Sequence, residues 1–205
     1  MLKVQPWPGL HSLSAAALRA DANPVVLAVA TPDTAIRDVA RGLVRQALRE
    51  VLGVLLECPP EAVPLVSQPG QPLRLNTGGR QIGLSVSHER GLTLAAIHVG
   101  GAVGIDLMRI EQRADWLPDW EPVALAYLGG EARNRIARHS PVERPQSFAR
   151  EWTGHEACLK CGGLPLQEWS PALQQKLLRC RLFELDLPER FIGTLASAPE
   201  DEVTR

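Results

Sequence analysis

The segment over residues 82–110, reading IGLSVSH, LTLAAIHV and AVGIDLMRI between turn residues, most constrains what this chain can fold into. Short apolar runs rich in Val, Ile and Leu, bounded by such breaks, are strands rather than helices. They predict strands at 82–88, 92–99 and 102–110. Gly100-Gly101 joins the last two as a hairpin turn, because glycine accepts positive φ. In the third strand Val103, Ile105 and Leu107 share one face, and Gly104, Asp106 and Met108 share the other. An aspartate inside so apolar a strand is costly unless something pairs with it.

Upstream, PVVLAVA (24–30) suits a buried strand, and the run that follows predicts a helix. Ile36, Ala40, Leu43, Ala47 and Val51 recur at helical spacing, Thr31 or Asp33 can cap the start, and Gly53 can end it. The opposite face carries Arg37, Arg41, Arg45 and Arg49, neighbours at i and i+4. Such a stripe is either a solvated basic face or an anion site, since the guanidinium matches phosphate geometry. The choice matters because the chain as a whole has a net charge of −1, from 22 Lys and Arg against 23 Asp and Glu. No global field favours nucleic acid or an anionic membrane, so an anionic partner needs a local cluster.

Residues 58–81 are broken by proline and glycine and predict loop with short extended pieces; residues 1–23 predict irregular chain with a little helix. LGGEARNRIARHS (128–140) and SFAREWTGHEACLKC (147–161) predict helices, the second stopped by Gly162-Gly163 and Pro165. RCRLFELDL (179–187) and RFIGTLAS (190–197) predict a second β-pair. The order of elements predicts an α+β protein of two similar-sized halves. With 45% hydrophobic and 22% charged residues the chain is expected to fold rather than stay disordered. It has no run of transmembrane length, no signal-peptide pattern and only four scattered cysteines, so a cytoplasmic, reduced protein is expected.

EWTGHEACLKCGG (151–163) concentrates the chemistry. As one helix over 147–161, its buried stripe is Phe148, Trp152, His155 and Leu159. Glu156 lies at the edge of that stripe and Lys160 one turn beyond, a pairing that is a surface salt bridge unless a ligand joins it. Thr153 to Glu156 can instead form a capping box that starts the helix at 153. His155, Cys158 and Cys161 offer a metal or redox reading, but a structural zinc site draws four ligands from two separated pairs, and Cys58 and Cys180 are single.

In chain order, ARGLVRQALREVLG, PGQP, LSVSH, GIDLM and WTGHEACLK resemble the signatures of the 4′-phosphopantetheinyl transferases of the larger, surfactin-synthetase-type class. There the motifs are an R-G-x-x-R-x-x-L helix, a G-K-P loop, an N-x-S-H strand end, G-(I/V)-D-x-E and W-(S/T)-x-K-E-A-x-x-K. The likeness runs from residue 36 to 166, with a weaker extension to 197. It implies a pseudo-two-fold arrangement of two similar α/β halves with the active site in the cleft between them. The implied halves are 1–105, with the coenzyme A adenine and 3′-phosphate contacts, and 106–198, with the metal, the pyrophosphate and the carrier-protein docking surface. Residues 199–205 would be a frayed tail. The implied activity is Mg²⁺-dependent transfer of the phosphopantetheine arm of coenzyme A to a serine of an apo acyl or peptidyl carrier protein. The internal pseudo-dimer implies a monomer, without nucleic-acid or membrane partners.

Carried over by position, the resemblance gives Asp106 and Glu156 to the metal and Lys160 to the pyrophosphate. It gives His88 to the 3′-phosphate, Arg41 and Arg45 to the nucleotide phosphates, and Gly70 and Pro72 to the loop beside the adenine. Ser87 and His155 are further expected contacts to coenzyme A, and Glu156 is also the implied base toward the carrier serine. The chain departs from the pattern where Met108 replaces a carboxylate, His155 and Gln71 replace lysines, Ser85 replaces an asparagine and Glu89 replaces a Ser or Thr. Three of these changes, at His155, Gln71 and Glu89, remove positive or add negative charge, which predicts weaker or pH-sensitive coenzyme A binding that strengthens when His155 is protonated. They also motivate a second reading, a catalytically impaired relative that binds coenzyme A or a carrier protein without transfer.

Overall fold

A computed structural model describes residues 1–9, 24–33, 37–66, 73–76, 82–110 and 118–199. Its elements in chain order are β1 (Leu2–Lys3), β2 (Gln5–Trp7), β3 (Val25–Ala30), α1 (Arg37–Leu56), β4 (Leu65–Val66), β5 (Arg74–Leu75), β6 (Ile82–Glu89), β7 (Leu92–Val99) and β8 (Gly101–Arg109). Then follow α2 (Trp120–Ala137), α3 (Arg144–Cys161), α4 (Pro171–Leu177), β9 (Arg181–Asp186) and β10 (Phe191–Pro199). The result is a mixed α+β fold. One four-stranded sheet has the order β2-β3-β7-β6 and the other β1-β9-β10-β8, while β4 and β5 form a small ribbon. Each large sheet begins with a parallel pair and continues with two antiparallel pairs.

The elements stack in four layers. Helix α1 buries Val44, Ala47, Leu48, Val51, Leu52 and Leu55 against Leu27, Val29, Ala95 and Ile97 of the first sheet. The other face of that sheet, with Val26, Leu92, Leu94 and Ala96, meets Val103, Ile105, Leu107, Leu185, Phe191 and Leu195 of the second. Helix α3 covers the far face of the second sheet, joined by α4, and α2 packs on α3 through Ala124, Leu128, Ala132 and Ile136 around Phe148. Strand β7 lies between α1 and the second sheet, so residues 92–98 are all buried. A strand covered on both faces needs apolar residues throughout, which is why LTLAAIHV shows no polar alternation.

Several boundaries differ from the sequence expectation. Helix α1 runs through Gly53 to Leu56, and the chain turns at Glu57 with φ +57. Gly53 is needed for a different reason: the chain folds back so that Cys58 N–H bonds Gly53 O at 3.0 Å, and a Cβ at Gly53 would lie 2.9 Å from Cys58 O. The expected caps, Thr31 and Asp33, precede α1, but residues 34–36 between them and the helix lie outside the described residues. Helix α2 is broken at Gly129, with φ +84, so its second part begins beside the expected 128 while the part from Trp120 was not expected; α3 starts at Arg144 rather than 147, so the capping box at 153 does not form. The buried side of α3 centres on Ala149, Thr153, Ala157 and Cys161, with Phe148, Cys158 and Leu159 beside them; Trp152 and His155 lie at its margin. Helix α4, not predicted, is seven residues long and starts where Ser170 Oγ accepts Leu173 N–H at 3.2 Å. Pro199, expected in the frayed tail, is the last residue of β10, and residues 200–205 lie outside the described part.

Candidate active site

The site begins at a seam between β6 and β8. Strand β8 ends the order of its sheet, and an edge strand leaves alternate N–H groups without a ladder partner. Side chains of β6 take that role. Ser85 Oγ accepts Ile105 N–H at 3.0 Å, Ser87 Oγ accepts Leu107 N–H at 3.2 Å, and the Glu89 carboxylate accepts the N–H of Arg109. Gly83 continues the series, since a Cβ there would collide with Gly101 O. The odd-numbered side chains of β6 thus face β8 across a constant offset, while Ile82, Leu84 and Val86 face the α1 core. Glu89, an awkward charge in the sequence, is the last rung of this ladder. Burial and then the charge of Asp106 push its carboxyl above the ordinary glutamate value, and the N–H bonds from Arg109 and Arg90 pull it back.

Asp106 lies on the face of β8 that meets α3, as the alternation predicts, and is only 8% exposed. Its partners are Ser87, which donates its hydroxyl to Oδ1 at 3.0 Å, and Lys160, whose Nζ is 2.6 Å from the same oxygen. Lys160 also donates to Ile105 O at 3.1 Å. Two donors on Oδ1 leave Oδ2 outside these bonds. The cost of burying an aspartate in this strand is therefore met by one hydroxyl and one ammonium.

Helix α3 brings Lys160 there because it rides close on β8 and β10. At Gly104 a Cβ would collide with Ala157 O and Cys161 N, so only glycine lets the helix approach this near. Thr153 and Thr194 hydrogen-bond at 2.8 Å beneath the helix, and Thr194 is the register partner of Asp106. From outside, Arg135 of α2 grips Glu151 with two bonds of 2.7 and 2.9 Å. Trp152 stacks on Phe148 at 5.6 Å and meets Tyr127 edge-on at 5.9 Å.

Glu156 is one turn before Lys160 on this helix and within the field of Asp106. Burial, and then repulsion by Asp106, raise its carboxyl above the ordinary glutamate value, while Lys160 lowers it. Burial alone pushes the adjacent His155 below the ordinary histidine range, and its Nε2 is buried without a hydrogen-bond partner. Any gain from protonating His155 therefore falls at a lower pH than a free imidazole would give.

The predicted residues divide into groups. Asp106, Glu156, Lys160 and Ser87 converge, with Ser87 turned to Asp106 and the β8 backbone. His88 sits on the opposite side of β6, where Nδ1 meets Thr93 Oγ1 at 3.0 Å. Arg41 pairs with Asp38 at 3.2 Å on the exposed side of α1, and Arg45 follows one turn later. Gly70 and Pro72 lie outside the described residues. Met108, in the position of the absent carboxylate, packs with Trp120, Phe148 and Trp152.

Among the described residues no group of three or more His, Cys, Asp or Glu side chains is arranged to hold a metal ion. Asp106 and Glu156 are a pair, and their mutual repulsion is of the kind a divalent cation relieves. Mg²⁺ suits such a donor set, since it usually takes one or two carboxylates and completes its shell with water and phosphate oxygens. No described helix is long and apolar enough to cross a membrane. No protein-family model matches this chain, and no curated protein matches it.

Proposed function

We propose that this protein is a phosphopantetheinyl transferase that moves the 4′-phosphopantetheine arm of coenzyme A onto a serine of an apo carrier protein, releasing adenosine 3′,5′-bisphosphate. The observation that carries the reading is the convergence of Asp106, from β8, with Lys160 and Glu156, from α3. These are the three residues that the GIDLM (104–108) and WTGHEACLK (152–160) motifs nominate, and the two motifs are far apart in sequence. The repeated order of one parallel and two antiparallel pairings in the two large sheets supports a pseudo-two-fold relation between the halves. On this reading the site lies in the cleft between them.

Asp106 and Glu156 would hold Mg²⁺, which when bound supplies charge neutralisation at the pyrophosphate. Lys160 places an ammonium beside Asp106, where it can pair with a phosphate oxygen as negative charge builds on the leaving group. The carrier serine oxygen bonds to the phosphorus bearing the pantetheine arm, and the bond from that phosphorus to the bridging oxygen breaks. Glu156 is the carboxylate suited to take the serine proton, directly or through a water. Arg41, Arg45 and His88 are the cationic and donor groups available to the nucleotide phosphates. Carrier protein is the macromolecular partner, and the protein acts as a cytoplasmic monomer.

The test incubates the protein with apo carrier proteins, a fluorescent coenzyme A and Mg²⁺, with and without EDTA. Mg²⁺-dependent labelling that disappears in Asp106→Ala and Glu156→Ala, both still folded, supports the reading. No labelling across several carriers, or full activity in either variant, removes it.

A further inference from the structure

The C-x-x-C of α3 takes no part in the site above, and the structure gives it a third member. Cys180, just before β9, packs into the same apolar cluster as Cys158 and Cys161. Cys161 is held further by the N–H of Ala198 on β10. All three are free thiols, packed with Ala157, Leu159, Leu173, Leu177, Ala196 and Ala198. Their exposure differs: Cys158 and Cys161 are buried at 5% and 4%, whereas Cys180 is half-buried. One partly exposed cysteine therefore stands beside two enclosed ones.

We propose that Cys180 is an oxidation site for peroxides, and that one of the two thiols behind it captures the oxidised sulfur as a disulfide tying the end of α3 to the start of β9. Thiolates react and neutral thiols do not, so the sulfur that ionises first decides where oxidation begins. Cys158 and Cys161, as neighbouring thiol donors, lower the pKa of Cys180 against the effect of burial. In the first step the Cys180 thiolate attacks a peroxide oxygen; an S–O bond forms, the O–O bond breaks, and hydroxide leaves. In the second, the sulfur of Cys158 or Cys161 attacks Cys180; the S–S bond forms, the S–O bond breaks, and water departs with the thiol proton. Sulfur loses two electrons to the peroxide, and a dithiol reductant reverses the change. The inference does not depend on the coenzyme A reading.

The test treats the native protein with hydrogen peroxide at a few equivalents, alkylates in denaturant, and maps the peptides without reduction. Trypsin cuts after Lys160, Arg179 and Arg181, so the three cysteines fall on separate peptides. Two of the four thiols should vanish, with the Cys180 peptide joined to that of Cys158 or Cys161, and dithiothreitol should restore them. Folded Cys180→Ser should keep its three thiols under the same dose. The Cys158→Ser, Cys161→Ser double variant should instead yield a Cys180 sulfenic acid trapped by dimedone. Retention of all four thiols in the wild type, a bridge confined to Cys158–Cys161, wild-type oxidation of Cys180→Ser, or stoichiometric zinc in the purified protein overturns the proposal.

Discussion

Ser87 donates its hydroxyl to Asp106 Oδ1 at 3.0 Å while accepting the N–H of Leu107 at 3.2 Å. One side chain thus fixes the carboxylate of the candidate site and closes one rung of the seam between the sheets. Ser85 closes the preceding rung without touching a carboxylate. Ser87→Ala and Ser85→Ala should each cost about 1–3 kcal/mol in urea unfolding, the penalty of an unsatisfied buried donor. Only Ser87→Ala should also weaken Mg²⁺ binding measured by calorimetry. Equal effects of the two variants on Mg²⁺ would reduce Ser87 to a purely structural rung.

Lys160→Met keeps most of the side-chain volume and removes the cation from Asp106. Breaking a fully buried pair costs roughly 3–5 kcal/mol; here the lysine side chain is 31% exposed, so about 2 kcal/mol is expected. Carrier labelling should fall by about 10²-fold or more if the ammonium also meets the developing phosphate charge. A variant that loses stability but labels at the wild-type rate would confine Lys160 to the ion pair.

Gly104→Ala tests the close passage of α3 over β8. The new methyl would meet backbone atoms of Ala157 and Cys161, which cannot rotate aside. A loss of about 3 kcal/mol is expected, at the upper end of overpacking costs, because the helix must lift from the sheet. Lys160 and Glu156 would lift with it, so transfer should fall even at temperatures where the variant remains folded by circular dichroism. A variant as stable as wild type would mean that the helix does not ride this close.

The strands over 82–110 were legible because alternation and length report directly on local geometry, and Asp106 announced that it needed a partner. The identity of that partner was not legible from periodicity, since Lys160 is more than fifty residues away and joins only when α3 packs on the sheet. Glu89 shows the limit most clearly. By composition it is a charge in the wrong place, yet the offset between β6 and β8 makes it a backbone acceptor. That offset is a tertiary property that no pattern within either strand encodes. Gly53 and Gly104 likewise read as a stop and as a motif letter; in the fold each is a point of close backbone approach. The third thiol was hidden for the same reason, because β9 delivers Cys180 to a helix that ends before α4 begins.

Glu156 supplies a pH-dependent test. Its folded pKa lies above the ordinary glutamate value, chiefly through burial and secondly through Asp106. A raised carboxylate pKa means that the folded state binds the proton more tightly than the unfolded state. Its contribution to stability is therefore fully present below about pH 4.5 and is lost as pH rises through the folded value. In metal-free buffer Glu156→Gln, which carries no charge to desolvate, should melt above wild type at pH 7–8, and the gap should close as pH falls toward 4.5. Saturating Mg²⁺ should narrow or invert the neutral-pH gap, because binding stabilises the protein that retains both carboxylates more than the variant. If Mg²⁺ raises the two melting temperatures equally, Glu156 is not a ligand, and the metal assignment falls back on Asp106 alone.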